Sequence, residues 1–197
     1  MSDRGDKTRE LICREACRLF AEKGYKEVTM TDICERTGLS RGGLYRHYES
    51  TEQIFRQIIR QMSSGQEDVI SGKIARQLPA VQILNETLMQ YREEMLDHEQ
   101  SLSIAFCEFF SRLSDRDGPS FLYEQYLGSK KTWEALISYG MATDEFKTVD
   151  PAAVYDMLVF AYQGVRLYSK LIRIDPETPD HIITLIRTLL LKEQEEK

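Results

Sequence analysis

The chain is short of the residues on which enzymes, metal proteins and membrane proteins are built. Its three histidines, His47, His98 and His181, are scattered, with no Glu-x-x-His pattern, phosphate loop or nucleophile elbow beside them. No catalytic residue and no cofactor are therefore expected. The four cysteines (Cys13, Cys17, Cys34, Cys107) lie inside helix-like patterns rather than at turns. Cys13 and Cys17 share a helix face, but nothing else has the spacing to complete a metal site; they read as small buried hydrophobes, and no metal is expected. Eleven glycines and five prolines are too few for collagen-like or low-complexity character. The longest charge-free apolar stretch, Met157 to Val165, is well short of a spanning helix, so no membrane partner is expected. The opening Met-Ser-Asp-Arg-Gly-Asp-Lys is charged with no apolar stretch behind it, which argues against a secretory leader and for a cytoplasmic protein.

What is present is helix. A chain of 197 residues, 42% hydrophobic, is too apolar for disorder and suits one compact domain, or one small and one medium. Alternating strand patterns are absent, and a 3.6-residue period recurs. The first helix is expected over about 7–23, with Leu11 or Ile12, Ala16, Leu19 and Phe20 in one stripe and Gly24 stopping it. Thr29-Met-Thr-Asp32 places an acid three residues after a hydroxyl cap and opens a short helix ending at Thr37-Gly38. After a tight turn Ser40 caps a third helix running to Tyr48. Ser50-Thr-Glu-Gln53 is a capping box for a long fourth, to about Gln77. Beyond Pro79 the pattern predicts helices at about 79–97, 101–113, 119–140, 151–173 and 179–194. Their breaks fall at Asp115–Pro119, Ala142–Glu145 and Asp175–Pro179, and Asp150-Pro151 and Thr178-Pro179 are cap-proline starts. The expectation is an all-α protein of about nine helices: an N-terminal three-helix domain over 6–66 and a helical C-terminal domain over 67–197.

The net charge is −6, but it is unevenly spread. Residues 1–60 hold 12 Lys+Arg against 10 Asp+Glu, whereas residues 61–197 hold 14 against 22. From Thr37 to Tyr48 there are Arg41, Arg46 and His47 and no acid. Phosphate binding needs local rather than global positive charge, so the acidic total excludes nothing. Within the same segment, about 29–48, two short helices joined by a glycine turn describe a helix-turn-helix. Cys34 is small where the helices cross, Gly38 supplies the positive φ of the turn, and Ile33, Leu39 and Leu44 face inward. Arg41, Gly42, Tyr45, His47 and Tyr48 are left to face outward.

From about Lys7 to Phe55 these residues resemble the DNA-binding domain of the TetR family of bacterial transcriptional regulators. The resemblance is carried by Ile12, Ala16, Leu19, Phe20 and Gly24, then Tyr25, Thr29, Asp32 and Ile33. Gly38, Leu39, Ser40, Leu44, Tyr45, Tyr48 and Ser50-Thr51-Glu52 complete it. It implies that the third helix reads the major groove of operator DNA, with Arg41 on a guanine edge or a phosphate. It also implies phosphate contacts from the hydroxyls of Tyr45 and Tyr48, although Tyr48 is equally open to half-buried packing. His47 is a candidate for a base or phosphate, and Thr29 and Thr31 would cap the second helix and donate to the backbone. Two departures matter. Thr51 stands where the family usually has lysine; it can still donate at a helix N-terminus, one charge short. Gly42-Gly43 puts two poor helix formers in the recognition helix, at about 1 kcal/mol each relative to alanine. Either only small residues fit there, or the backbone approaches DNA closely.

Helix-turn-helix proteins generally bind two half-sites as a dimer, which requires a helix apolar on more than one face. The 151–173 segment has two stripes, one with Val154, Leu158, Ala161, Val165, Tyr168 and Ile172, the other with Met157, Phe160, Gly164, Leu167 and Leu171. Segment 179–194 is similarly broad. The resemblance implies that these helices pair with their twins in a four-helix bundle. Val154, Leu158, Ala161, Val165, Tyr168, Ile182, Ile186 and Leu189 are the expected homodimer residues; the alternative is a monomeric core. The Lys192–Lys197 end is expected as a solvated tail. Tyr91, Phe106, Phe110, Tyr123, Tyr126, Trp133 and Tyr162 are candidates to line a pocket for a small apolar or amphipathic ligand, although aromatics at helical spacing also serve as plain core. Glu108 is either a pocket acid or, the favoured reading, a solvated partner of Arg112.

The combined reading is a DNA-binding regulator, specifically a repressor released from a palindromic operator by a ligand, with the 51–77 helix expected as the only covalent link between the domains. A regulator without a small ligand and an all-helical enzyme are the alternatives. A closed cavity among helices four to eight would favour the ligand.

Overall fold

The structure, a computed structural model, describes residues 3–97, 99–112 and 118–192, without the side chains of residues 3, 4, 66 and 118–120. His98, most of the expected break at Asp115–Pro119 and all but the first residue of the expected tail lie outside the described residues. Among the described residues there are nine helices and no strand: α1 (Asp3–Lys23), α2 (Met30–Thr37), α3 (Arg41–Tyr45), α4 (Thr51–Ala75), α5 (Ala80–Leu96), α6 (Ser103–Arg112), α7 (Gly118–Ala142), α8 (Pro151–Tyr168) and α9 (Thr178–Leu190). None of the helices is long and apolar enough to cross a membrane.

The start signals read in the sequence act much as their chemistry requires. Asp150 accepts the Ala152 N–H at 3.0 Å with Pro151 in the first turn of α8. At α4, Ser50 Oγ accepts the Gln53 N–H at 3.2 Å, but Gln53 Oε1 reaches back to the Glu49 N–H rather than to that of Ser50. Thr178 is helical and not a cap; Glu177 precedes it without a side-chain cap bond. The last two helices end earlier than the periodicity predicts. The α8 segment leaves the α-helical register at Ser169, where Lys170 and Leu171 bond to carbonyls three residues back and tighten the last turn. α9 ends at Leu190 because Leu191 turns extended and meets Phe146 in an isolated bridge.

The chain divides into two compact units. The first holds the described residues within Met1–Ser63 and Glu99–Leu122, so α6 folds with the N-terminal helices. Its core is built from Ile12, Ala16, Phe20, Ile33, Leu44, Ile54 and Phe55, together with Phe109 and Phe121. The Tyr25, Phe55 and Phe109 rings meet at centroid distances of 4.9–5.2 Å. Glu108 takes neither of its expected roles. Its carboxylate accepts the Lys26 N–H at 3.0 Å, beside Gly24 in the left-handed region (φ 79°), and so clamps the turn after α1.

The second unit holds the described residues within Ser64–His98 and Tyr123–Lys197. Ile83, Leu84, Leu88, Trp133, Ile137, Tyr155, Leu158, Ile186 and Leu190 form its core. The Glu145 carboxylate accepts the Ala80 and Val81 N–H groups, both at 3.0 Å, and serves as the missing cap of α5. The chain passes between the units three times, so the α4 segment is not the only covalent link.

Candidate nucleic-acid interface

The interface grows from two capped short helices. Thr29 Oγ1 accepts the Asp32 N–H at 3.2 Å and Asp32 Oδ2 accepts the Thr29 N–H at 2.8 Å, a reciprocal capping box. Lys23 Nζ donates to Asp32 Oδ1 at 2.7 Å. The hydrogen bond from Lys23, then those from Thr29, hold the Asp32 carboxyl well below the usual carboxylate range. α2 closes at Gly38, whose φ of 72° only glycine adopts without strain. Ser40 Oγ then accepts the Gly43 N–H at 3.1 Å and opens α3.

α3 is three residues shorter than its sequence pattern. Leu44 is fully buried and anchors it, while Arg41 and Gly42 are exposed and Tyr45 is 50% exposed. Arg41 Nη2 donates to Thr31 Oγ1 at 3.1 Å, so two expected contact residues from different helices are brought together. Beyond Tyr45 the chain turns: His47 and Tyr48 both donate their N–H to the Leu44 carbonyl, His47 is half-buried, and Arg46 is exposed. Tyr48 is only 8% exposed and its hydroxyl meets Cys13 Sγ at 3.3 Å, while burial pushes its phenol pKa up. Tyr48 is a packing residue, and its expected phosphate contact is withdrawn. Thr29, exposed, spends its hydroxyl on the Asp32 cap, and Thr51 is half-buried with its side chain hydrogen-bonded to Tyr25. A Cβ at Gly42 would meet nothing within 4 Å, whereas one at Gly43 would lie 3.2 Å from Ser40 Oγ. Packing therefore gives no reason for glycine at 42.

Comparison with known proteins agrees with this geometry. Residues 12–58 match the model of the bacterial regulatory proteins of the tetR family. That match covers the helix-turn-helix and reaches into the helices on either side of it. It is 27% identical over 151 residues to the uncharacterized HTH-type transcriptional regulator YfiR of Bacillus subtilis, covering 75% of this chain and 72% of that one. To the HTH-type transcriptional repressor DhaR of Mycobacterium sp. strain GP1 it is 26% identical over 191 residues, 95% of this chain and 94% of that one. A structure solved as the molecular basis for control of antibiotic production by bacterial hormones has the same fold, with a TM-score of 0.78 at 21% identity, covering 98% of this chain and all of that one. The first two are named as an HTH-type transcriptional regulator and an HTH-type transcriptional repressor, and none of the three as an enzyme.

The residues expected to pair two subunits are phased differently around α8 and α9 from the sequence reading. Val154, Leu158, Val165 and Ile186 are buried in the second unit's core, with Leu158 only 2% exposed, and so they are removed from the expected interface. The cause is rotational: α8 turns Tyr155, Leu158 and Tyr162 inward against α5 and α7. Ala161 and Ile182 are half-buried, Tyr168 and Leu189 exposed. Met157, Phe160 (68% exposed) and Leu185 (53%) join them on the open side. The second α8 stripe, already visible in the sequence, was the signal for Met157 and Phe160.

The pocket candidates are divided between the two units. Phe106 and Phe110 belong to the first unit, 4.6 Å apart, and Tyr91, Tyr123, Tyr126, Trp133 and Tyr162 to the second. Tyr123 and Tyr126 stack at 6.2 Å, Tyr123 exposed. Tyr91 and Tyr162 stack at 4.3 Å and Trp133 Nε1 donates to the Tyr91 hydroxyl at 3.1 Å. The Tyr162 hydroxyl donates to Glu94 and accepts from Arg166 Nη1 at 2.7 Å. Glu94 and Arg166, which the sequence reading missed, thus form a polar knot with three of the aromatics.

Proposed function

We propose that this protein is a cytoplasmic, homodimeric repressor that holds a palindromic operator and is released by a small apolar or amphipathic ligand. Residues 6–66 act as the DNA-binding domain and 67–197 hold the ligand and the partner subunit, with α6 folded onto the former. The observation that carries the reading is the outward wall of Arg41, Gly42 and Tyr45 on a doubly capped α3, joined by Thr31, His47 and Arg46. Thr29 and Thr51 stand beside it and contribute mainly through their helix N-termini. Dimerisation is supported by the open apolar face of Met157, Phe160, Ala161 and Tyr168 on α8 with Ile182, Leu185 and Leu189 on α9. Gly164, beside which a Cβ would meet nothing within 4 Å, gives that face room for a close helix crossing.

The likeness to a structure solved for the control of antibiotic production by bacterial hormones supports a ligand, and the buried Tyr91, Trp133 and Tyr162 with the half-buried Glu94 and Arg166 supply the aromatic and polar groups it would need. The same residues favour the second reading, a regulator without a small ligand, because they already pack on and hydrogen-bond one another. The test is selection of bound fragments from genomic DNA, followed by footprinting. The expected outcome is a palindrome bound by two chains with half-site centres about 34–36 Å apart or a multiple. Failure to protect any fragment would overturn the reading.

A further inference from the structure

The first unit carries an open concavity of about 480 Å³ that begins at the end of the helix-turn-helix and runs along α4. Arg9 of α1, His47 just beyond α3, and Arg56, Gln57, Arg60 and Gln61 of α4 line it, and no carboxylate is among its lining residues. In a chain with six more acids than bases, a wall of three guanidiniums, an imidazole and side-chain amides is a local reversal of sign. Its chemistry is that of a hydrogen-bond donor surface for an oxyanion.

Two of the guanidiniums are held in place. Arg56 gives Nε to Glu52 at 2.9 Å and lies over the Phe109 and Phe121 rings at 5.4 and 5.0 Å. Arg60 lies over the Phe121 ring at 5.3 Å. Stacked, partly paired arginines lose less freedom on binding than free side chains, which favours phosphate recognition. Besides Glu52, two carboxylates touch the wall from outside: Asp6 stands 3.8 Å from Arg9 Nη1, and Glu49 accepts from Gln53.

We propose that this concavity is a second phosphate seat, in which Arg9, His47, Arg56, Gln57 and Arg60 hold the DNA backbone flanking the half-site that α3 reads. DNA is the occupant because the wall begins at His47, two residues after the exposed Tyr45. A strand whose phosphates meet the end of α3 would then have the wall as its next donor surface. The inference rests on the DNA-binding reading. The seat adds affinity without adding sequence preference, since phosphates carry no base identity.

The test is fluorescence anisotropy of the full-length protein on a random-sequence duplex across a salt series, with thermal melts to establish folding. Arg9→Gln is expected to weaken binding and to flatten the slope of log K against log salt by about 0.9, one phosphate contact. Gln57→Lys, which removes no wild-type charge or stacking, is expected to tighten binding and steepen the slope by a similar amount. Arg41→Ala is the recognition-helix control. If it weakens binding while both groove variants keep the wild-type slope, the second seat is overturned and the DNA reading stands. If the wild type binds no duplex, both fall. Inorganic pyrophosphate at constant ionic strength gives the last arm. If it raises the melting temperature of the wild type and not of Arg9→Gln, while the DNA slopes are unchanged, the occupant is a free anion and the assignment to DNA is overturned.

Discussion

Arg41, Gly42 and Tyr45 divide the work of α3 by what each leaves exposed. Arg41 offers a guanidinium steadied by Thr31, Tyr45 a half-exposed phenol, and Gly42 bare backbone. Arg41→Ala is expected to cost about 1–3 kcal/mol of operator binding while the melting temperature stays put. Gly42→Ala separates two causes. With no atom in its way, the new methyl should leave folding unchanged or raise stability by up to about 1 kcal/mol through helix propensity. If the backbone lies against DNA, the same methyl lowers operator affinity; unchanged affinity would count against a close approach. Tyr45 and Tyr48 look alike in the sequence, three apart in one apparent helix. They part company because α3 stops at Tyr45 and the next turn folds Tyr48 back onto Cys13, an event no periodicity records.

At the level of elements, chemistry local to a turn was legible and rotational phase was not. Thr29 with Asp32, Gly38, Ser40 and Asp150 with Pro151 act through groups within four residues, so their roles can be read from neighbours alone. The α2 cap has a measurable consequence. Because the carboxyl of Asp32 is held below its unfolded value, its contribution is present above about pH 4 and is lost as pH falls through the folded value. In urea unfolding, Asp32→Asn should lie below the wild type at pH 7, and the gap should narrow towards pH 3. A constant gap would remove the charge from the account of the cap. α8 is different: with apolar residues around its circumference, its sequence says that it is covered on several sides but not which side is inward. Its packing against α5 and α7 decides that. Glu108 escaped for a similar reason, since its partner is a backbone N–H 82 residues away.

Across the whole molecule, the two faces of α8 should respond to substitution in opposite ways. Leu158→Ala opens a cavity in a filled core and should lower stability by about 2–5 kcal/mol with the association state kept. Phe160→Glu puts a charge on the open face and should leave each chain folded while sedimentation drops from twice 22.9 kDa to a single chain. A folded Phe160→Glu dimer would move the pairing surface elsewhere. The all-α class and the helix-turn-helix were readable because they rest on local periodicity and caps. The membership of α6 was not, because an amphipathic helix carries no mark of which core it joins.

That membership limits how the molecule can be cut. A protein engineer who excises the first 66 residues, to fuse this DNA reader to another sensor, leaves behind the helix that supplies Phe109 to the Tyr25 and Phe55 rings and a carboxylate to the Lys26 amide. The transplanted fragment carries a bare aromatic patch and an unsupported bend just ahead of the reading head. A working graft must bring the 99–122 stretch along or rebuild it in the recipient.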